Sequence, residues 1–263
     1  MNCKSAQAVL ISGILVSSVT FAKLETQSHV NSFTTLNEDL AWFQHEESVL
    51  PRSDRRGLFL KIYHSVTQEM ANMFAEHQFQ DPKWVTKLML KYVSLYRNAL
   101  DCDTTQNCEP APAWQNAFAE NRSGRHHEAI QLLLSISAHI NRDLPVALAE
   151  IGTDFNSEKQ HSDFQKISLI FNRRMPQLIA ILQTYETCRL SDWDRVEINK
   201  VIQWAVGRTR EESWQNGALL AAAETRLDEA LVLGKIQQHT DFENSTIYFF
   251  APLPELLVCD GVL

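Results

Sequence analysis

The chain has 263 residues, of which 44% are hydrophobic, and 24 Lys and Arg stand against 32 Asp and Glu for a formal net charge of −8. This length suits one large domain and is short for two, and no linker, repeat or low-complexity tract divides the sequence. An acidic chain without a Lys/Arg block is not expected to bind nucleic acid or an anionic membrane, because such surfaces are held mainly by phosphate neutralisation.

The first 22 residues have the pattern of a cleavable signal peptide. Lys4 gives a positive start, an apolar core follows between Ala8 and Val16, and Ala22 ends the segment with a small side chain. The alternative is an uncleaved membrane anchor, but a spanning helix needs about 20 predominantly apolar residues and this core is shorter. We therefore expect an exported protein, periplasmic or secreted, with no membrane span in the mature chain.

Helical periodicity dominates the rest of the chain. Apolar side chains recur at helical spacing from about Asp54 to Ala75 and again in the next segment, where Asp81 and Pro82 have the pattern of a cap and first turn. A polar loop between two cysteines comes next, and a short helix is predicted to begin at Ala113.

The segment 129–136 is apolar nearly all round, which predicts a central, buried helix. Pro145 removes a backbone donor and disfavours the helical conformation at Leu144. We therefore expect the helix to break or kink near Pro145 and to resume through 146–148. A break inside a core leaves backbone carbonyls that polar side chains or a ligand must satisfy.

Three further helices are predicted, at about His161–Thr184, Trp193–Arg208 and Glu211–Leu233. Strand-like alternation is nearly absent, and Thr246–Phe250 is the one β-leaning stretch. The sequence thus predicts an all-α fold, a single-domain bundle of about seven or eight helices.

The expected boundaries divide the mature chain into three parts. These are an N-terminal extension at 23–37, the helical domain at 38–235 and a C-terminal tail at 236–263 that packs on the domain.

Four cysteines follow the signal segment: Cys102, Cys108, Cys188 and Cys259. An even number in an oxidising compartment favours pairing, and the polar residues between Cys102 and Cys108 can bring those two together. By elimination Cys188 would pair with Cys259 and tie the tail to the domain. Free thiols and a zinc site are the alternatives, and zinc is disfavoured because no Cys-x-x-Cys pair is present.

The densest polar signal in an apolar context is the run that contains His139, Asn141 and Asp143. His139 and Asp143 are four residues apart and share a face if the helix persists across them. A His, an amide and a carboxylate at a backbone break predict a functional site. The alternative is structural: Asn141 or Asp143 caps the helix that restarts at Pro145, and His139 is a satisfied core histidine.

Two other segments carry candidate residues. His161 and Asp163 lie at a helix start. Glu158 and His161 have the Glu-x-x-His spacing of di-iron sites, but such a site needs the motif twice and the sequence has no second copy. Arg210 is four residues from Trp214 and would stack on it or reach a buried carboxylate such as Asp143, a surface turn being the alternative.

The run 138–148, Ala-His-Ile-Asn-Arg-Asp-Leu-Pro-Val-Ala-Leu, closely resembles the signature of the bacterial domain-of-unknown-function family 5995. Weaker similarities follow in order along about residues 38–235; they are Phe59–Tyr63, Trp84–Tyr96, Pro112–Trp114, His161–Phe164, Gln203–Trp204 and Arg210–Trp214. The chain departs from the family pattern at Ser135 and Ser137, where a Gly and an Asn are expected.

The resemblance implies an all-α fold and one polar cluster of site residues. Its members are His139, Asn141, Asp143, His161, Asp163 and Arg210. The resemblance implies no reaction.

Two functions are compatible with these residues. In the first, the chain is a metal-assisted hydrolase of a small or lipid-like substrate. The catalytic residues would be His139, Asp143 and His161, and the same three with Asp163 are the candidate ligands of a divalent metal. The substrate would be bound by Asn141, Arg210 and Trp214. In the second, it is a non-catalytic binding protein for a hydrophobic small molecule or a protein partner. The sequence does not specify an oligomeric state.

Overall fold

The computed structural model describes residues 36–51, 53–126, 128–185 and 208–250. The regular structure in these ranges is helical throughout and includes no strand, which confirms the prediction of an all-α fold. The predicted signal peptide, the helix expected at Trp193–Arg208, Cys188 and Cys259 lie outside the described residues.

The helices in chain order are α1 over 36–49, α2 over Arg56–Ala75, α3 over Pro82–Thr105, α4 over Pro112–Ser123 and α5 over Glu128–Ser137. A π-helix follows directly over Ala138–Asp143, and then come α6 over Leu144–Glu150, α7 over Glu158–Tyr185, α8 over 208–221 and α9 over Arg226–Phe250. Across the described part of the chain, none of these helices combines the length and the apolar character that crossing a membrane requires.

The start of α3 follows from its local sequence. The Asp81 carboxylate accepts a hydrogen bond from the Trp84 backbone N–H at 3.0 Å, and Pro82 is the first helical residue. A proline fits there because its missing N–H would have no partner within the helix. The predicted cap and first turn are therefore confirmed.

The disulfide between Cys102 and Cys108 is present, with the two Cα atoms 4.9 Å apart. The intervening residues are less loop-like than expected, because α3 continues to Thr105 and the turn begins only at Gln106, whose φ of 57° is left-handed. Asp103, within this last turn of α3, is buried and pairs with both Arg56 and Arg122. These ion pairs help to hold the last turn in helical form.

The segment from α5 to α6 is the centre of the molecule. It contacts α2, α3, α4, α7 and α9, and Leu134 and Leu148 are fully buried within it. This arrangement confirms the predicted central, buried helix. It also means that the buried polar side chains of this segment, among them His139, Asn141 and Asp143, face other protein groups instead of water.

The chain does not leave the helical conformation at Pro145. Leu144 keeps helical angles of −63° and −48°, and its N–H bonds to the carbonyl of His139, five residues back. The next bond of a π ladder would join the absent N–H of Pro145 to the Ile140 carbonyl. The Ser213 hydroxyl from α8 lies 2.8 Å from that carbonyl oxygen and provides the missing donor. The predicted break is therefore replaced by a wider helical turn.

Two predictions for the C-terminal part are wrong. The helix expected at Glu211–Leu233 is interrupted: α8 ends at 221, and α9 begins after Thr225, whose hydroxyl lies 2.6 Å from Asp228 Oδ2 and accepts from the Asp228 N–H at 3.1 Å. This reciprocal capping arrangement starts a new helix. The β-leaning stretch Thr246–Phe250 is helical, and its Ile247 packs against the core. Such tertiary packing overrides a weak strand preference.

Candidate functional site

The π-helix brings His139 and Asp143 together, as their spacing predicts. His139 Nδ1 lies 3.0 Å from Asp143 Oδ2, and both residues are buried. The Trp114 indole N–H from α4 donates to the same oxygen at 2.8 Å. The carboxylate is thus held by two elements and fixes the orientation of the imidazole.

This pairing determines the form of the histidine. A carboxylate accepts the Nδ1–H, so the proton is on Nδ1 and Nε2 carries a free lone pair. Burial lowers the pKa of His139, while the hydrogen bond and the charge of Asp143 act in the opposite direction. The ring is therefore neutral at pH 7, and its Nε2 is available as a base.

Aromatic side chains hold the imidazole ring in place. Tyr92 stacks on it with the ring centroids 3.6 Å apart, and Tyr63 meets it edge-on at 4.5 Å. Phe59 and Trp114 complete the enclosure. This packing leaves the ring little rotational freedom, which a base with a fixed direction requires.

A cavity of about 40 Å³ lies beside His139. Its walls are mostly apolar side chains of α2, α3, α7 and the central segment, and Tyr63 and Arg210 also line it. This volume accommodates a water molecule or a small functional group, since a water molecule occupies about 30 Å³ in the liquid.

Three buried polar atoms, each on a residue that lines this cavity, lack a hydrogen-bond partner among the described residues. They are His139 Nε2, the Tyr63 hydroxyl and Arg210 Nη2. Folded proteins leave few such groups unpaired, because each costs about 1–3 kcal/mol. Three of them on residues around one cavity make it the candidate site for a ligand or water.

Arg210, on α8, is the cation of this cavity. It is 3% exposed, its Nε donates to Ser168 Oγ at 2.8 Å, and its guanidinium carbon lies 4.7 Å from the centre of the Phe164 ring. Arg210 forms no ion pair with a carboxylate of the described residues. Its contacts are with Ser168 and Phe164, and not with Trp214 or Asp143, the two partners expected from the sequence. Burial lowers the pKa of Arg210 to about 10, which still leaves it charged at pH 7.

His161 lies away from this cavity. Its Nε2 is 3.5 Å from Glu211 Oε2, its ring contacts Trp214, and its side chain is 43% exposed. Trp214 packs between Trp84 and Phe155 and does not line the cavity. The structure therefore separates these two candidates from the His139–Asp143 pair.

Asp163 is fully buried and has a structural role. Its carboxylate accepts hydrogen bonds from the backbone N–H groups of Gln80 and Asp81, at 2.9 and 2.7 Å, and pairs with Lys166 at 3.0 Å. It thereby fixes the loop that leads into α3. With its oxygens so engaged, Asp163 is not placed to bind a metal beside His139.

Asn141 points away from the cavity, towards α9. Its Nδ2 donates to Glu243 Oε2 at 2.7 Å and to Ser137 Oγ at 3.1 Å. The π turn thus carries His139 and Asp143 on one side and Asn141 on another. Asn141 has no place in a substrate site at the cavity.

Of the four predicted metal ligands, His139 and Asp143 come together and His161 and Asp163 do not join them. In the described ranges, the group whose ligand atoms do lie within 4.8 Å of one another is Glu212, His239 and Glu243. The sequence reasoning missed this group. The His-x-x-x-Glu spacing of α9 was a visible signal, but Glu212 joins it only through the packing of α8 against α9.

The cavity tyrosines, Tyr63 and Tyr92, were also missed as site residues. Both fall on helix faces that read as ordinary core. A buried tyrosine whose hydroxyl needs a partner differs from a phenylalanine only in that one atom, which periodicity does not detect.

Comparison with known protein families identifies a match over most of the chain. A family of unknown function, DUF5995, matches over residues 40–248. No curated protein and no solved structure matches the chain at a significant level.

Proposed function

Because the chain belongs to a family of unknown function, DUF5995, we propose its function from the geometry around His139. The proposed function is that of a hydrolase, which uses this histidine as a general base on a small, largely apolar substrate. One observation carries the proposal. His139 Nδ1 is bound to Asp143, while the buried Nε2 lacks a partner among the described residues at a cavity that Arg210 also lines.

The proposed step is the hydrolysis of an ester. His139 Nε2 takes a proton from a water molecule as the water oxygen attacks the carbonyl carbon, and Asp143 stabilises the imidazolium that forms. The guanidinium of Arg210 donates to the oxyanion. Collapse of the tetrahedral intermediate releases the alcohol, which takes the proton from Nε2, and leaves the acid.

The donor set favours a base over a metal ligand at this position. His139 and Asp143 bond to each other, and within the described residues no third carboxylate, histidine or thiolate joins them within ligand distance. A catalytic zinc site has three protein ligands. We therefore propose that His139 acts as the general base without a metal ion.

The cavity volume limits the substrate. A space of about 40 Å³ holds a water molecule or one small functional group, so the leaving group and any longer acyl chain have to lie outside it. Short acyl esters are therefore the substrate class proposed, in place of lipids.

The test is the hydrolysis of p-nitrophenyl esters of increasing chain length by the purified full chain. We expect activity to be highest on acetate and butyrate esters and His139→Gln to lower kcat/KM by about 100-fold or more. His45→Gln, at an exposed histidine on α1, is the matched control and should retain wild-type activity. Equal rates for the wild type and His139→Gln on every ester would refute the hydrolase.

A second candidate, a binding protein for a small apolar acid, is favoured by Arg210. A buried cation without a carboxylate partner in the described residues suits an anionic ligand. Calorimetry with butyrate against butanol tests this function. Tighter binding of butyrate that Arg210→Met abolishes, without any ester hydrolysis, would support binding over catalysis.

We also propose that the chain is exported. The pattern of the first 22 residues suggests it, and the Cys102–Cys108 disulfide suits an oxidising compartment. Mass spectrometry of the protein from its own host gives the test: a mature chain that begins near Lys23 is expected, and a full-length cytoplasmic chain would contradict the proposal.

A further inference from the structure

We propose that Glu212, His239 and Glu243 bind a divalent transition-metal ion of the zinc class where α8 meets α9. One ligand atom from each residue lies within 4.8 Å of the other two. An imidazole nitrogen with two carboxylate oxygens is a donor set that zinc accepts, and three protein ligands leave a fourth position open. This site is distinct from the cavity at His139.

The separations suit a common ion. His239 Nε2 lies 2.8 Å from Glu212 Oε2 and 3.4 Å from Glu243 Oε1. Ligand atoms at about 2.0–2.2 Å from a tetrahedral zinc are roughly 3.3–3.6 Å from one another. Since His239 and Glu243 are four residues apart on α9, they share a face, and only small side-chain movements are needed to fit the ion.

The orientation of two ligand atoms points to a ligand between them. Glu212 Oε2 and His239 Nε2 are both buried, and neither forms a hydrogen bond with any described residue, although they lie 2.8 Å apart. A simple ion pair would align the N–H of the imidazole with the carboxylate oxygen. Here the two atoms are in close contact without that alignment, and a shared metal ion would bond to both of them.

The outer oxygen of each carboxylate is already held. Glu243 Oε2 accepts from Asn141 Nδ2 at 2.7 Å, and Glu212 Oε1 accepts from Arg208 Nε at 3.2 Å. Each glutamate therefore presents its remaining oxygen to the site. Such supporting hydrogen bonds orient metal ligands and raise affinity. Asn141, which has no contact with the cavity, would thus be a positioning residue that orients Glu243.

Charge balance supports a divalent cation. The two carboxylates bring two negative charges and Arg208, 3.2 Å from Glu212 Oε1, brings one positive charge, so the site is net negative and attracts a cation. The ion would join α8 to α9 and, through Asn141, to the π-helix.

The test measures zinc binding by the purified full chain after treatment with a chelator. Isothermal titration with Zn²⁺ should give about one site per chain, and zinc at a hundred times its Kd should raise Tm by roughly 5–10 °C. His239→Gln should abolish this site, and Asn141→Leu should weaken it about 10-fold. His64→Gln, which removes the histidine of another His–Glu pair 2.7 Å apart, is the matched control and should bind as the wild type does.

Glu212→Gln provides a second variant at a partly exposed position, so that a folding defect in His239→Gln does not decide the outcome. Loss of zinc binding in both variants, with binding retained in His64→Gln, supports the site. Wild-type binding that persists in either folded variant overturns it, and so does the absence of micromolar binding by the wild type. None of these results depends on whether the cavity hydrolyses esters.

Discussion

The burial of His139 affects both the protonation of its imidazole and the stability of the fold. Its imidazole is enclosed by aromatic rings, one nitrogen bonds to Asp143, and the other is unpaired among the described residues. Burial lowers its pKa, so the folded state resists protonation that the unfolded chain accepts. The same environment that keeps the base neutral therefore makes the fold sensitive to acid.

The first prediction concerns the pH dependence of stability. Because burial lowers the pKa of His139 in the folded state below the ordinary histidine value of about 6.5, its stabilising effect is fully present above that pH and is lost as the pH falls below it. The free energy of unfolding should decrease by up to about 1.4 kcal/mol per pH unit in this window. Urea denaturation at pH 7, 6 and 5 measures the slope, and His139→Gln should reduce it.

The comparison between variants is needed because Asp39 acts in the opposite direction. Burial raises its pKa to about 6, so the folded state gains stability from Asp39 as the pH falls through that value. Both proteins contain Asp39, and the difference between them isolates His139. Identical slopes for the wild type, His139→Gln and the control His45→Gln would contradict the prediction.

At the scale of the element, the π-helix is stable because a neighbouring helix completes its hydrogen bonds. The Ile140 carbonyl, which Pro145 leaves without a backbone donor, is reached by the Ser213 hydroxyl. Ser213 also lies 2.7 Å from the Thr209 carbonyl within its own helix. One side chain thus couples α8, which carries Arg210, to the turn that carries His139.

The second prediction tests this coupling. Ser213→Ala leaves a buried carbonyl unsatisfied and should lower the free energy of unfolding by about 1–3 kcal/mol. Chemical denaturation monitored by circular dichroism gives the value. Ser245→Ala removes an exposed hydroxyl that bonds to its own helix at 2.8 Å and should change stability by less than about 0.5 kcal/mol. Equal effects of the two substitutions would show that the Ile140 carbonyl does not need Ser213.

Local rules explain which elements the sequence predicts. The start of α3 is predicted because Asp81 and Pro82 act on the first turn alone. The division between α8 and α9 is missed although Thr225 and Asp228 form a capping box, since alanine-rich residues before it continue the helical pattern. Pro145 is misjudged because its effect depends on Ser213, which lies far away in the sequence.

The candidate site divides in the same way. The contact of His139 with Asp143 follows from a spacing of four residues, and the structure contains it. The placement of Arg210 over Phe164, and of Glu212 beside His239, results from the packing of distant helices. Such contacts cannot be read from one sequence by periodicity, because each helix face is compatible with several neighbours.

At the scale of the whole molecule, the buried central segment and the surface disulfide stabilise the fold by different means. The central segment removes apolar side chains from water and packs against helices on several sides, α8 included. The Cys102–Cys108 bond closes a short loop at the end of α3 and acts mainly on the unfolded chain.

The third prediction follows from that loop. Replacing Cys102 and Cys108 together by serine should lower the free energy of unfolding by about 2 kcal/mol, which corresponds to a fall in Tm of roughly 4–8 °C. Differential scanning calorimetry under non-reducing conditions measures it. An unchanged Tm in the double variant would contradict the prediction.

The π-helix also shifts the phase of the chain that follows it. A ladder that bonds five residues back takes up one more residue per turn than an α ladder, so α6 is rotated by about 100° relative to a straight continuation of α5. Deleting one residue between 138 and 143 would restore the α phase and turn either the His139–Asp143 pair or the Ile140 carbonyl away from its partner. Both the His139–Asp143 pair and its connection to α8 therefore depend on the number of residues in this turn as much as on their identity.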